Sequence, residues 1–436
     1  MTFAPPGRDA EADTHLATLA NGVRVLTLHQ PHLATATACV FVASGSAHER
    51  PAESGIGHVV EHMLFKGTAR RDAERINLDA ERLGAEVNAH TDKDHTALHM
   101  RGLAAHAGQF VQQLGELVLE PTFPAEELER ERQVLLQEHA EDSDDPVATG
   151  FKLFDRSCFG THPAAQPVIG PRHNVERFRR QDLLDWTRRQ FSGANVVLGV
   201  AGPVDPDEML RHAAQAFGAL PAGEPHRVLP PAYGGGIATQ RSDGSSQTHL
   251  VLGFGLPALA DEDVAATVAA AVLGDGMSSP LLQALREREG LAYHAAASAD
   301  VLAVCGQFVV EASTAPGQFE RALAAVARLL ARHAEAVDPV DLERARNQLA
   351  VRLLRARERP LRRLEDAALD LFTFGRVRPL AERLAAVREV GGDAVRDAFR
   401  RLIAAGPSVA VTGEVPRGTR DRVRRVLASA GLAPAG

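Results

Sequence analysis

The stretch "LERERQVL" at residues 128–135 returns as "LERARNQL" at residues 342–349, 214 positions later. Self-similarity over about half of a 436-residue chain indicates duplication of one structural unit. Strand-like and helix-like patterns also follow one another in a similar order in the two halves. The sequence therefore predicts an α+β fold of two homologous domains of about 200 residues each.

A stretch rich in Pro and Gly, "GALPAGEPHRVLPPAYGGG" at residues 218–236, separates the two copies. Such composition is typical of a connection between domains. We therefore expect a flexible N-terminus at 1–14, an N-terminal domain at 15–217, a linker at 218–240 and a C-terminal domain at 241–436.

The two copies differ at their polar positions. Glu131 of the first copy corresponds to Ala345 of the second, and Glu138 corresponds to Arg352. These differences predict that any chemistry carried by acidic residues belongs to the first half alone.

Composition narrows the class of protein. The net charge is -8, with 45% hydrophobic and 24% charged residues, as in an ordinary globular protein without a basic surface for nucleic acid. No apolar run approaches the roughly 18 residues that a membrane helix needs, and the N-terminus lacks the apolar core of a signal peptide, so we expect a cytoplasmic protein. The cysteines are far apart and odd in number, which favours buried free thiols: Cys39, Cys158 and Cys305.

The stretch "GHVVEHMLFKGT" at residues 57–68 contains His58, Glu61 and His62 among apolar residues. On a helix, positions i, i+3 and i+4 share one face, so the two imidazoles and the carboxylate lie side by side. This arrangement suits zinc, with Glu61 as general base on metal-bound water. The alternative is three hydrogen-bonded polar groups on a partly exposed helix. The apolar neighbours argue against it, because burying an uncompensated carboxylate costs several kcal/mol.

A catalytic zinc site usually takes three protein ligands. Glu131 and Glu138 are two helical turns apart, on one stripe with Leu128 and Leu135. We predict that Glu138 is the third ligand and that Glu131 lies behind it, accepting the free N–H of a ligating histidine. The alternative for Glu131 is an exposed acid on a charged helix.

Together with these residues, the segments "EHMLFKGT", "GAEVNAHT", "RERQVLLQE", "THPAAQPVIG" and "LREREGLAY" resemble the M16 metallopeptidases, which include pitrilysin, insulin-degrading enzyme and the mitochondrial processing peptidases. The resemblance spans nearly the whole chain. It implies two domains, each a mostly antiparallel sheet packed with helices, and one Zn²⁺ per subunit. It also implies zinc ligation by His58, His62 and Glu138, with Glu61 as base, and subunits that pair to enclose a chamber.

The resemblance further implies how a peptide is held. The strand at Asn88 and Ala89 is expected to receive the substrate as an added β-strand, a mode that uses main-chain hydrogen bonds. The alternative for Asn88 is an ordinary hairpin residue. Arg286 and Tyr293 match a family pair that grips substrate and polarises the scissile carbonyl, and we expect them to act on the partner subunit's zinc site.

Two positions depart from the family pattern. His90 stands where relatives often carry an aromatic residue, which could alter pocket preference or add pH sensitivity. Gly57 stands where alanine is common, and we expect it only to loosen the start of the helix.

The sequence therefore predicts a zinc endopeptidase that cleaves short or unfolded peptides. Because one chain carries both the zinc motif and the Arg/Tyr pair, we expect a homodimer. A heterodimer with an inactive homologue is the alternative. Two other functions compete: a non-catalytic structural or partner subunit of the same fold, and a metal-binding protein without catalysis.

Overall fold

The structure is a computed structural model that describes residues 13–432. Most of the predicted flexible N-terminus, 1–14, lies outside the described residues, and Thr14 already begins a strand. The strands are β1 Thr14–Thr18, β2 Arg24–His29, β3 Thr35–Val42, β4 Glu86–Thr91, β5 Thr96–Leu103, β6 Val196–Gly202, β7 Gly236–Arg241, β8 Thr248–Leu256, β9 Ala292–Val301, β10 Gly306–Thr314 and β11 Ser408–Gly413.

Helices occupy most of the remaining chain. In the first half they are α1 Ile56–Leu64, α2 Ala73–Arg82, α3 Ala107–Leu119, α4 Ala125–Asp144, α5 Pro146–Phe159, α6 Arg172–Arg177, α7 Arg180–Gln190 and α8 Pro206–Phe217. In the second half they are α9 Val264–Gly274, α10 Pro280–Leu282, which continues as the π-helix Gln283–Arg288, α11 Phe319–Glu335, α12 Pro339–Arg357, α13 Pro360–Phe374, α14 Leu380–Glu389, α15 Gly392–Ala405 and α16 Thr419–Ser429.

The two sheets repeat one topology. The first has the order β1-β2-β6-β3-β5-β4 and the second β7-β11-β8-β10-β9. In each sheet one pair is parallel, β2 with β6 and β7 with β11, and the other pairs are antiparallel. The sequence-based prediction of two homologous α+β units with mostly antiparallel sheets is confirmed.

The first sheet is covered on both faces. Along β3 successive side chains point to opposite sides, so Val40 packs into the core beneath α1 and α3, whereas Phe41 packs into a second core against α13. Because both faces of β3 are buried, successive residues of this strand are mostly apolar and do not alternate between polar and apolar.

The compact units interleave along the chain. Among the described residues, the first comprises 13–139, 167–228 and 355–381, and the second comprises 140–166, 229–354 and 382–432. A single cut at 218–240 would place α5 with the first unit and α13 with the second. Instead α5 packs on β11, β8 and β7, and α13 packs on β6 and β3. Residues 236–240 of the predicted linker also belong to β7.

Local chain reversals follow the sequence signals. The alternating pattern of "AEVNAHTDKDHTALHMRGL" at residues 85–103 predicts a hairpin, and β4 and β5 form one. Helix α2 is followed by Gly84 with a positive φ of 63°. All three cysteines are free and buried, as predicted. Within residues 13–432, none of the helices combines the length and the apolar character needed to cross a membrane.

Candidate metal centre

Helix α1 carries two histidines side by side on one face. Its apolar residues, including Val59, Val60 and Met63, are buried against the sheet, which leaves the other side of the helix for the polar ones. The imidazole rings of His58 and His62 are 4.7 Å apart between centroids, as the i, i+4 spacing predicts.

The start of α1 is anchored by a buried acid. Glu49 accepts the N–H groups of Gly55 (2.7 Å) and Gly57 (2.8 Å), so its carboxyl group caps the helix that carries the histidines. Burial raises the pKa of Glu49 to about 8, although the two N–H bonds oppose this shift. Residue spacing does not indicate Glu49, because its partners follow it across a turn rather than along one helix.

Glu138 of α4 closes the cluster. Its Oε2 lies 3.8 Å from Nε2 of His58 and 3.5 Å from Nε2 of His62. Tetrahedral bonds of about 2.1 Å would separate two donor atoms by about 3.4 Å, so these distances leave room for one zinc ion between the three groups. Two imidazole nitrogens and a carboxylate oxygen are also a donor set that zinc accepts. The residues therefore fit the metal.

Glu131 lies behind the cluster. It is 8% exposed, and its Oε1 is 2.9 Å from Nδ1 of His62, which leaves Nε2 of that ring directed at Glu138. Lys66 approaches the other oxygen at 2.6 Å. Burial alone would raise the pKa of Glu131, but the hydrogen bonds from Lys66 and His62 outweigh burial and hold it below its usual value. Helical spacing does not indicate Lys66, because it lies two residues beyond the end of α1.

Glu61 lies beside these groups on α1. Burial raises the pKa of its carboxyl group and outweighs the hydrogen bond from Thr91 and the charge of His62, which both lower it. Its buried Oε2 has no hydrogen-bond partner anywhere in residues 13–432. A carboxylate with a raised pKa and a free oxygen is suited to accept a proton near neutral pH.

Strand β4 ends the first sheet, since it pairs with β5 alone among the described strands. It carries Asn88, Ala89 and His90. The side chain of Asn88 accepts the N–H of Ala89 at 2.8 Å. The predicted substrate-binding strand is therefore an edge strand, and it packs against α1.

Arg286 and Tyr293 belong to the second compact unit, whereas the histidines and Glu138 belong to the first. The guanidinium carbon of Arg286 lies 5.1 Å from the ring centre of Tyr293, within the range of a cation–π contact. Tyr293 is 81% exposed at the start of β9, which is the counterpart of β4 in the second sheet.

Two family models match successive parts of the chain. Residues 24–172 match the family model described as "Insulinase (Peptidase family M16)", and residues 177–349 match the one described as "Peptidase M16 inactive domain". A protein of Rickettsia bellii named an uncharacterized zinc protease is 31% identical over 401 residues, which cover 92% of this chain and 97% of that protein.

Two solved structures share the fold. The peptidase M16 inactive domain from Pseudomonas fluorescens superposes with a TM-score of 0.84 at 22% identity, covering 92% of this chain and 98% of that one. A protease from Helicobacter pylori gives 0.83 at 19% identity, covering 92% and 99%. With its two sheets in one repeated topology and its close sequence relatives, the chain belongs to the M16 family of peptidases.

Proposed function

We propose that this protein is a zinc-dependent endopeptidase that cleaves short or unfolded peptides. The observation that carries the proposal is the convergence of His58, His62 and Glu138 from two helices, with Glu61 beside them and a raised pKa. A three-ligand zinc ion supplies Lewis-acid activation of water and of a peptide carbonyl.

The surrounding residues have separate roles. Glu61 takes the proton from the attacking water and passes it to the leaving amine. Glu131 accepts Nδ1–H of His62 and thereby fixes the ring so that Nε2 faces the metal position. Lys66 holds Glu131 in its charged form.

The free edge of β4 supports binding of an extended peptide. Added-strand binding relies on main-chain hydrogen bonds and reads few side chains, so a substrate has to be unfolded but not of one sequence. Asn88 on this strand would bond to the main chain of that peptide through its side-chain amide, whose Oδ1 accepts the N–H of Ala89 in the free protein.

The proposal includes a dimer. Arg286 and Tyr293 of one chain would donate hydrogen bonds to the developing oxyanion at the metal site of the second chain, within a chamber enclosed by the pair. Because this chain carries both sets of residues, a homodimer suffices, and pairing with an inactive M16 homologue is the alternative outcome. A non-catalytic structural role would not require the proposed zinc ligands and base, all of which this chain carries.

A glutamine substitution at the base tests the proposal. Glu61→Gln should keep zinc bound but lower cleavage of an unfolded peptide by about 10²- to 10⁴-fold, because glutamine cannot accept the proton. Zinc content by elemental analysis and peptide hydrolysis are measured on the same sample. Glu81→Gln on the exposed surface of α2 is the control. Undiminished cleavage by Glu61→Gln would remove Glu61 as the base, and absence of cleavage by the zinc-loaded wild type would favour the non-catalytic role.

A further inference from the structure

A second cluster of metal-binding side chains lies on the other face of the first sheet. On β5, Leu98 packs into the core beneath α1, whereas Ala97 packs into the core against α13. His95 is two residues before Ala97 and therefore points toward α13, as does His90, which pairs with Ala97 across the hairpin.

We propose that His90, His95 and Glu365 form a second site for a divalent transition metal, separate from His58, His62 and Glu138. The proposed peptidase mechanism does not use these three residues, so the second site can be tested independently of that mechanism.

The distances match those of the first site. Oε1 of Glu365 lies 3.5 Å from Nε2 of His90 and 3.5 Å from Nε2 of His95. These separations exceed the 2.7–3.2 Å typical of an N–H···O hydrogen bond, but they are close to the spacing of about 3.4 Å between two ligands of a tetrahedral zinc ion. The two rings are nearly perpendicular, with centroids 5.5 Å apart.

His95 is already oriented as a ligand. Its Nδ1 lies 2.7 Å from Oδ1 of Asp94, an arrangement that fixes the ring and directs Nε2 at Glu365. The side chain is 3% exposed, and Nε2 has no hydrogen-bond partner within residues 13–432. Because buried polar atoms are nearly always bonded, this nitrogen needs a partner, which a cation would supply.

The charges around the cluster also favour a cation. Asp94 and Glu365 contribute two carboxylates, and Arg362, which approaches Oε2 of Glu365 at 3.0 Å, is half exposed. Burial alone would lower the pKa of His95, but the two carboxylates outweigh burial and raise it to about 9.

The donor set selects the kind of metal. Two imidazole nitrogens and one carboxylate suit Zn²⁺ and its neighbours Co²⁺, Ni²⁺ and Cu²⁺, whereas Mg²⁺ and Ca²⁺ prefer oxygen ligands. His90 is 40% exposed, which gives the ion a route from solvent and leaves a position for water. The bound metal would join α13 to the β4–β5 hairpin and stiffen the edge strand from behind.

Counting bound zinc tests the second site. After removal of metal by a chelator and dialysis against Zn²⁺, the wild type should bind two ions per chain, and the double variant His58→Ala/His62→Ala should bind one. His90→Ala and Glu365→Gln should each lose one ion, with at least a tenfold weaker affinity at the second site. Asp366→Asn, one residue further along α13, is the matched control and should keep two.

Thermal unfolding gives a readout that does not depend on enzymatic activity. Zn²⁺ should raise the Tm of His58→Ala/His62→Ala, because an ion that binds only the folded state stabilises it. It should leave unchanged the Tm of the triple variant that also carries His90→Ala. Since His90 is partly exposed, this variant is expected to fold even if Glu365→Gln does not.

Two results would overturn the second site. One is a wild type that binds a single zinc ion, which disappears in His58→Ala/His62→Ala. The other is retention of two ions by His90→Ala. In either case the cluster would be a hydrogen-bonded charge network that holds α13 on the sheet.

Discussion

At the scale of single residues, the ring of His62 divides its two nitrogens between different partners. Nδ1 bonds to Glu131, and Nε2 faces Glu138. Glutamine at 131 would keep the shape but remove the charge that Lys66 and His62 both contact. We predict that Glu131→Gln weakens zinc affinity by about 10- to 100-fold.

Zinc affinity of this variant is measured by competition with a chelator of known strength. Glu129→Gln, at a side chain that is 68% exposed on the same helix, is the control and should bind zinc like the wild type. Equal zinc affinity in Glu131→Gln and the wild type would show that Glu131 does not orient His62.

Gly57 has a role that its sequence context did not reveal. A Cβ atom at this position would lie 2.9 Å from Oε1 of Glu49, the carboxylate that caps α1. Alanine in a helix gains at most about 1 kcal/mol over glycine, whereas overpacking a buried site costs about 1–3 kcal/mol. We predict that Gly57→Ala lowers the free energy of unfolding by about 1–2 kcal/mol.

Urea unfolding measures this change. Gly392→Ala at the start of α15 is the matched control, because its Cβ would meet nothing closer than 4.0 Å, and it should be neutral or stabilising. A Gly57→Ala protein as stable as the wild type would mean that Glu49 moves aside at no cost.

Residue spacing predicted part of the candidate metal centre but not all of it. The i, i+4 rule placed His58 and His62 on one face, and the two-turn spacing with leucines singled out Glu138. Glu49 and the cluster of His90, His95 and Glu365 could not be predicted in this way, because their groups meet only after distant elements pack together.

At the scale of elements, the free edge of β4 leads to a prediction about substrate binding. The N–H of Ala89 donates to the Asn88 side chain, so a proline at position 89 would remove this local hydrogen bond. Proline also favours an extended conformation at the preceding residue, which agrees with the position of Asn88 in a strand. A bound peptide would lose one main-chain hydrogen bond and meet the proline ring. We predict that Ala89→Pro raises KM by about tenfold.

Peptide cleavage kinetics measure this effect, with zinc content and Tm followed in parallel. Ala89→Ser keeps the N–H and is the control, which should retain the wild-type KM. If proline at 89 leaves KM unchanged, substrate is not bound along this edge.

The hydrophobic periodicity of the sequence predicted where strands and helices form, but not which distant elements pack against one another. The alternation of apolar and polar residues along 86–103 indicates the β4–β5 hairpin, because in a strand successive side chains point to opposite faces of the sheet. The packing of α5 on the second sheet and of α13 on the first is set by contacts between distant segments. A local pattern cannot encode that exchange of helices between the units, and the sequence therefore predicts a single domain boundary.

At the scale of the whole molecule, the two halves share one topology but carry different residues at corresponding positions. The first unit carries the proposed zinc ligands and the proposed base, and the second carries Arg286 and Tyr293 on β9, the counterpart of β4. If Arg286 and Tyr293 act on the partner subunit's site, as proposed, this division means that cleavage requires a second copy of the chain.

Mixing two inactive variants tests this division. Glu61→Gln lacks the base, and Arg286→Ala/Tyr293→Phe lacks the donors, so each homodimer should be nearly inactive. If the donors act on the partner subunit's site, a mixed dimer contains one complete site. Random exchange makes half of the dimers mixed, so activity should recover to about a quarter of the wild type. Peptide cleavage after co-refolding measures the recovery, and donors that act within their own chain would leave the mixture inactive.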